Sequence, residues 1–221
     1  IEELRHNLRT REDQPVPVFP FAYDWRQPLE RTEALLAAFI DEVIARTKLL
    51  RHYAAAGYGE DPKVNLVGHS MGGLVIAGYL ERTGKKHRVH KVATLATPFQ
   101  GSFEAVIKVT TGTANLGEKA PSSREREAAR ITPALYQLLP SFSNGLILDP
   151  RLPQTSLFDP ALWQPSIIDT LKEYIRLHGL ARTGRDQQAR QLFEGLLTAA
   201  RRHRTRIDRL DLAACGLDPS S

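Results

Sequence analysis

One cysteine, one methionine and an aromatic content of 7% are the conspicuous shortages in this chain of 221 residues. A lone Cys215 forms no internal disulfide, so the fold does not depend on an oxidising compartment and the disulfide-stapled scaffolds are excluded. No apolar run approaches the roughly 18 residues that a bilayer-spanning helix needs. Internal repeats are missing, as are the signatures of zinc modules, helix-turn-helix units and RNA-recognition folds. The chain opens on Ile1 with neither a methionine nor a signal peptide; a fragment of a longer, cytoplasmic product is expected. What it does hold is 42% hydrophobic residues, enough for a sizeable core in one domain, or in one domain with a cap.

The net charge of +5 is unevenly placed, because between positions 176 and 209 nine arginines stand against three acids, a local surplus of six. The expected arrangement is a solvated helix face, with Leu192, Leu196, Leu197 and Ile207 turned toward the body of the protein. Arg201, Arg202, His203, Arg204, Arg206 and Arg209 then lie on the outer side. A basic surface of this kind suits peripheral contact with lipid. Nucleic acid is not expected as a partner, since no nucleic-acid module accompanies the arginines.

Along the chain, 15–23 reads as an extended segment whose prolines limit regular pairing. From about Glu30 to Tyr53, Leu35, Leu36, Phe39, Ile40, Val43 and Ile44 recur at intervals of three and four, the period of an amphipathic helix, with Gly57 and Gly59 beyond it. Residues 63–68 read as a short buried parallel strand, 73–82 as a mostly apolar helix, and 89–96 as a second parallel strand. Alternation of strand and helix is the mark of an α/β protein, here with about three parallel strands. Thr110 to Ser123 reads as a long loop, and 141–165, interrupted by Pro150, Pro153, Pro160 and Pro165, as an irregular stretch. Helices are expected at about 166–178 and 186–212.

Between the first strand and the helix after it lies Gly68-His69-Ser70-Met71-Gly72. A G-x-S-x-G pentapeptide arises by chance only about 0.05 times in a chain of this composition, and here it has the strand before it and the helix after it. That is the arrangement of a nucleophile elbow, a strained turn that lifts a serine hydroxyl above the end of a sheet. The glycines keep side chains from colliding across the turn. Ser70 is therefore the candidate nucleophile. The backbone N–H of Met71, at the start of the helix, is the candidate oxyanion donor, and His69, in the variable position of the elbow, is expected to shape the floor of the pocket or to pack locally.

A serine hydroxyl needs a histidine to take its proton and a carboxylate to orient that histidine. His87 and His90 enter the second strand at its amino edge, whereas chemistry in open α/β sheets takes place at the carboxyl ends. His178 ends a helix and reads as a cap or surface residue. His203 lies among arginines and reads as a surface residue. Asp149 closes the apolar run that begins at Gly145, but no strand and histidine loop follow it, and Asp24 reads as one half of a structural pair with Arg26. The acid and the base are accordingly expected outside these residues.

Four blocks carry a family resemblance: Phe21-Ala22-Tyr23-Asp24-Trp25-Arg26, the elbow from Val64 through Gly73, Leu95-Ala96-Thr97-Pro98-Phe99-Gln100-Gly101-Ser102, and the stretch from Ile131 through Ser141. Together they resemble the lecithin:cholesterol acyltransferase-like α/β-hydrolases. The resemblance implies an α/β-hydrolase fold, with a partial parallel sheet flanked by helices in 1–105 and a lid loop with a C-terminal helical cap in 106–221. It implies that Ser70 carries the acyl group and that Thr97, Pro98, Phe99 and Gly101 line the pocket. The other half of the oxyanion hole is implied to precede Ile1. Hydrophobic acyl-ester or lipid substrates are implied, with no cofactor and no metal. The expected function is an ester hydrolase or O-acyltransferase; the rival readings are an amidase or peptidase on the same scaffold, and a non-catalytic interaction module.

Overall fold

The structure is a computed structural model that describes residues 1–9, 11–113, 122–142 and 156–217. In chain order its elements are α1 (Glu2–Asn7), α2 (Leu29–Lys48), α3 (Arg51–Ala55), β1 (Val64–His69), α4 (Met71–Thr83), β2 (Val89–Leu95), α5 (Phe103–Thr111), α6 (Ser123–Ile131), α7 (Pro133–Gln137), α8 (Ser166–His178), α9 (Arg185–Asp208) and α10 (Leu212–Cys215), with single 3-10 turns at Gly84–Lys86 and Pro160–Leu162. The chain forms two compact units. The first takes Ile1–Asp24, Glu30–Thr97 and Leu210–Ser221, and the second takes Trp25–Leu29 and Pro98–Arg209.

In the first unit β1 and β2 pair in parallel, from Asn65 opposite Lys91 to His69 opposite Leu95. These are the two strands among the described residues, where about three were expected. The proline-rich segment 15–23 contributes none, because a residue without an N–H cannot join a ladder. Helix α4 packs on both strands, and Gly73 through Leu80 are buried without interruption, as befits a helix that is apolar all round. It covers the face on which Val64, Leu66 and Gly68 point. Side chains that alternate to the other face stay in solvent: Val67 is 64% exposed and Leu95 55%, so these strands are not buried on both sides as expected. Helix α2 buries Leu36, Ile40 and Ile44, one turn apart each. The helix expected to run on to Tyr53 stops at Lys48 because no buried apolar residue extends the stripe; Leu49 is exposed and Leu50 turns to extended backbone before α3.

The second unit is helical. Ile167, Leu171 and Ile175 of α8 meet Ala189, Phe193, Leu197 and Ala200 of α9 in one core with Val109, Ala129, Tyr136 and Leu139. Tyr136 stacks edge-on against Phe193 at 6.1 Å between ring centres, and its hydroxyl donates to the Arg130 carbonyl at 2.7 Å. Arg130 is buried with no carboxylate partner among the described residues: its guanidinium donates to the carbonyls of Val109, Thr110 and Ser166 and to the hydroxyls of Ser166 and Thr170. Desolvation by burial pulls its pKa below the usual arginine value. A capping box of Ser122 and Glu125 opens α6. The amide of Leu29 donates to Gln137 Oε1 at 2.7 Å, tying the short segment 25–29 into this unit.

Helix α9 corrects the sequence reading twice. It ends at Asp208, and a separate short helix follows at Leu212–Cys215, capped by Asp211. His203 and Arg204, expected on the solvated face, are both wholly buried. The reason is register: Phe193, Leu197, Ala200, Arg204 and Ile207 follow one another by four and three residues, so Arg204 sits within the apolar stripe itself.

Candidate active site

Ser70 is the residue between the end of β1 and the start of α4, and it adopts φ 51° and ψ −125°. A serine gains nothing intrinsically from this region, so the conformation is held by its surroundings. The Ser70 amide donates to the Leu95 carbonyl at 2.8 Å, and the Gly73 amide to the Ser70 carbonyl at 3.1 Å. Across from it, at the end of β2, Ala96 is also at positive φ, 50°. Two strained non-glycine residues thus lie side by side at the carboxyl end of the sheet. Ser70 is exposed.

The glycines around the serine differ in why they are needed. A Cβ on Gly68 would meet the Gly73 amide nitrogen and the Ile76 side chain at 2.8 Å, whereas one on Gly72 would meet nothing within 4 Å. The tightest contact belongs to Gly73, outside the pentapeptide, where a Cβ would lie 2.0 Å from Thr97 Oγ1 and 2.6 Å from its Cγ2. Thr97 is therefore pressed flat on the first turn of α4, and its hydroxyl is buried with no hydrogen-bond partner among the described residues. The Met71 amide is the first N–H of α4 and has no acceptor within the helix. It lies at the positive end of the helix dipole.

His69 closes β1 opposite Leu95, exposed. Ser70, Met71, His69 and Thr97 are thus gathered in the first unit. Pro98, Phe99 and Gly101 belong to the second. There the Gly101 amide donates to the Pro98 carbonyl at 2.9 Å and the Ser102 amide to the Leu138 carbonyl at 2.7 Å. Gly101 has φ +93°, and a Cβ there would strike the Pro140 backbone at 2.6 Å, so this turn requires glycine twice over. The Phe99 ring is 41% exposed, while its carbonyl accepts from Arg204 Nη2.

The remaining candidates lie elsewhere. His87 bonds the Cys215 carbonyl at 3.0 Å and accepts from the Val89 amide, at the amino end of β2, and His90 is exposed near that end. His178 pairs with Glu127 at 3.3 Å. Asp24 is exposed in the first unit, and Asp149 lies outside the described residues. No described residue hydrogen-bonds the Ser70 hydroxyl, and no group of three metal-ligating side chains occurs among the described residues. No described helix is long and apolar enough to cross a membrane.

The sequence model of the lecithin:cholesterol acyltransferase family matches residues 11–168. The chain belongs to that family. Comparison with curated proteins and with solved structures gives no match. The matched span contains β1, the Ser70 turn, α4, β2 and α5 through α7, and ends within α8. Lecithin:cholesterol acyltransferase family membership places the chain among acyltransferases and lipid esterases and gives it lipid as its general class of substrate. Sequence reading passed over two residues at the Ser70 turn. Gly73 was legible as the second of two consecutive glycines. Ala96 left no sequence mark at all.

Proposed function

We propose that this protein is a serine-dependent acyl-ester hydrolase or O-acyltransferase of α/β-hydrolase fold, working on lipid-like esters through an acyl-enzyme on Ser70. The observation that carries the reading is the backbone of Ser70: an exposed serine at φ 51°, on a strand-to-helix turn at the carboxyl end of a parallel pair. Strain of this kind is retained where a side chain must be presented. In the proposed reaction Ser70 Oγ attacks the ester carbonyl carbon while a general base takes its proton. The carbonyl oxygen becomes the oxyanion, with the Met71 N–H as one donor. The intermediate collapses, the C–O bond to the alcohol breaks, and the base returns the proton to the departing oxygen. Water or an alcohol then takes the acyl group from Ser70 by the same steps. His69 and Thr97 shape the floor beside the nucleophile. We assign the base and its orienting acid to residues outside the described ones, since no described side chain bonds to Ser70.

The test is fluorophosphonate labelling with the modified peptide read by mass spectrometry, on this chain and on the longest translated form of its gene. The adduct is expected on Ser70, and Ser70→Ala is expected to abolish both labelling and ester turnover. An adduct on another residue, or turnover kept by Ser70→Ala, refutes the assignment. A panel of matched esters and amides separates the ester reading from amide cleavage.

A further inference from the structure

Among the described residues, Ser70 and Ala96 are the two that take a positive φ without being glycine, at 51° and 50°. They stand on one rung. The parallel register ends with His69 opposite Leu95, so Ser70 and Ala96 are the next residues of the two strands, and the Ser70 amide donates to the Leu95 carbonyl at 2.8 Å. Both strands thus leave the sheet at the same level, each by a left-handed step. Every residue concerned belongs to the first unit.

Ser70 has a hydroxyl to present, whereas Ala96 has only a methyl group, and that methyl group is exposed. Neither the chemistry nor the packing of its side chain accounts for the conformation. A residue with a Cβ is disfavoured in this region, which glycine enters freely, and it stays there only where the surroundings impose it. What is gained is seen one residue on. Extended backbone would carry Thr97 about 3.3 Å farther along the strand axis. Instead Thr97 lies on the first turn of α4, where its side chain fills the space that a Cβ on Gly73 would need. The Gly73 amide in turn donates to the Ser70 carbonyl at 3.1 Å. Both backbone polar groups of Ser70 are therefore held from the two sides of Ala96: the N–H by Leu95, and the carbonyl by Gly73, on which Thr97 rests.

We propose that Ala96 is a positioning residue for Ser70: its left-handed backbone lays Thr97 on Gly73 while Leu95 keeps the Ser70 amide, and this fixes the serine in the conformation from which its hydroxyl attacks. The proposal rests on the acyl-transfer reading of Ser70. Because the side chain at 96 is in solvent, substitutions there sort by the φ they accept rather than by bulk. Ala96→Asn and Ala96→Val are similar in size, but asparagine tolerates the left-handed region and a β-branched residue does not. Thr97→Gly removes the brace with Ala96 intact, and carries the test should Ala96→Val not fold. Two measurements are made on each variant of the longest translated form of the gene. In amide hydrogen exchange, Ser70 and Gly73 are expected to exchange about tenfold faster or more in Ala96→Val and Thr97→Gly, and within about twofold of the parent in Ala96→Asn, with Leu80 near the end of α4 unchanged in all three. In fluorophosphonate labelling of Ser70, the limiting rate is expected to fall about tenfold or more in Ala96→Val and Thr97→Gly, with the half-saturating probe concentration within about threefold of the parent. Ala96→Asn is expected to keep both within about threefold.

Equal effects of Ala96→Asn and Ala96→Val overturn the proposal, since bulk rather than backbone conformation then decides. Unchanged exchange at Ser70 and Gly73 in Ala96→Val and Thr97→Gly overturns it too, as does a shift in half-saturation with the limiting rate untouched. A parent protein that takes no probe on Ser70 refutes the acyl-transfer reading, and the positioning role with it; the exchange data then still decide whether Ala96 holds the turn.

Discussion

Alanine at two adjacent glycines is expected to change stability in opposite directions. At Gly72 the new methyl has open space around it, since nothing lies within 4 Å of the Cβ position. Glycine in a helix is less stable than alanine by about 0.5–1 kcal/mol, so Gly72→Ala is expected to stabilise the first unit by that amount. At Gly73 the Cβ position is 2.0 Å from Thr97 Oγ1, 2.6 Å from Cγ2 and 2.8 Å from Cβ. Rotating the threonine removes the first two clashes in turn but never the third, and β-branching leaves it few rotamers. The backbone must give way. Overpacking of this kind costs about 1–3 kcal/mol, and after the helix gain a net loss of about 1–2 kcal/mol is left. The two variants should therefore differ by about 2 kcal/mol. With a urea slope of about 2 kcal/mol/M this is a gap of about 1 M between midpoints. The assay is urea unfolding with far-UV circular dichroism, and Gly73→Ala with Thr97→Gly serves as the rescue. Equal midpoints for Gly72→Ala and Gly73→Ala would refute the contact between Thr97 and α4, and with it the account of how the Ser70 turn is braced.

The second unit offers two further tests. Arg130→Met removes the donors that five buried or half-buried acceptors use, and is expected to cost about 3 kcal/mol or more, seen as a lower thermal midpoint; a loss under about 1 kcal/mol would mean that water replaces the guanidinium freely. Burial holds the Tyr136 phenol above its usual pKa of 10.0, with Arg130 opposing. A phenol whose pKa is raised on folding contributes stability that is complete below the unfolded value and is lost as pH rises toward the folded one. Unfolding free energy should thus hold steady up to about pH 10 and fall above it, and Tyr136→Phe should flatten that fall while costing about 1 kcal/mol at neutral pH through the lost bond to Arg130. An unaltered alkaline slope in Tyr136→Phe would show that other groups carry it.

Which parts of this architecture were legible in the sequence follows from where the determining contacts lie. The strand at 64–69, the helix after it and the strand at 89–95 were readable, because each is set by a local run of apolar and β-branched residues. The turn at Ser70 was readable from its glycine spacing, and the family was readable from four blocks, two of them at these elements. Misreadings arose where distant contacts decide. Charged composition hid the burial of Arg204 and His203, although the four-and-three spacing of their apolar neighbours pointed inward. The burial expected of β1 on both sides assumed a second covered face, and no local pattern reports whether a face is covered. Gly72 was taken as one of the glycines needed at the turn because it belongs to the motif, yet space is limiting at Gly73, where the neighbour is a threonine 24 positions further along.

The interleaving of the two units also bears on the order in which the protein is made. Residues 25–29 belong with a body whose remaining chain begins at Pro98, and the Leu29 amide finds its partner 108 residues later, at Gln137. The ring of His87 waits longer, for a carbonyl 128 residues downstream at Cys215. As the chain leaves the ribosome, β1, α4 and β2 emerge early, but their unit stays open until the segment from Leu210 arrives, after the whole helical unit has been synthesised. Early-emerging elements closed by late ones give slow, non-local folding. Over that interval the apolar helix α4 lacks its contact with Cys215, which reaches the Leu80 carbonyl, so the nascent chain is most open to aggregation or to a chaperone while Pro98 to Arg209 is being translated.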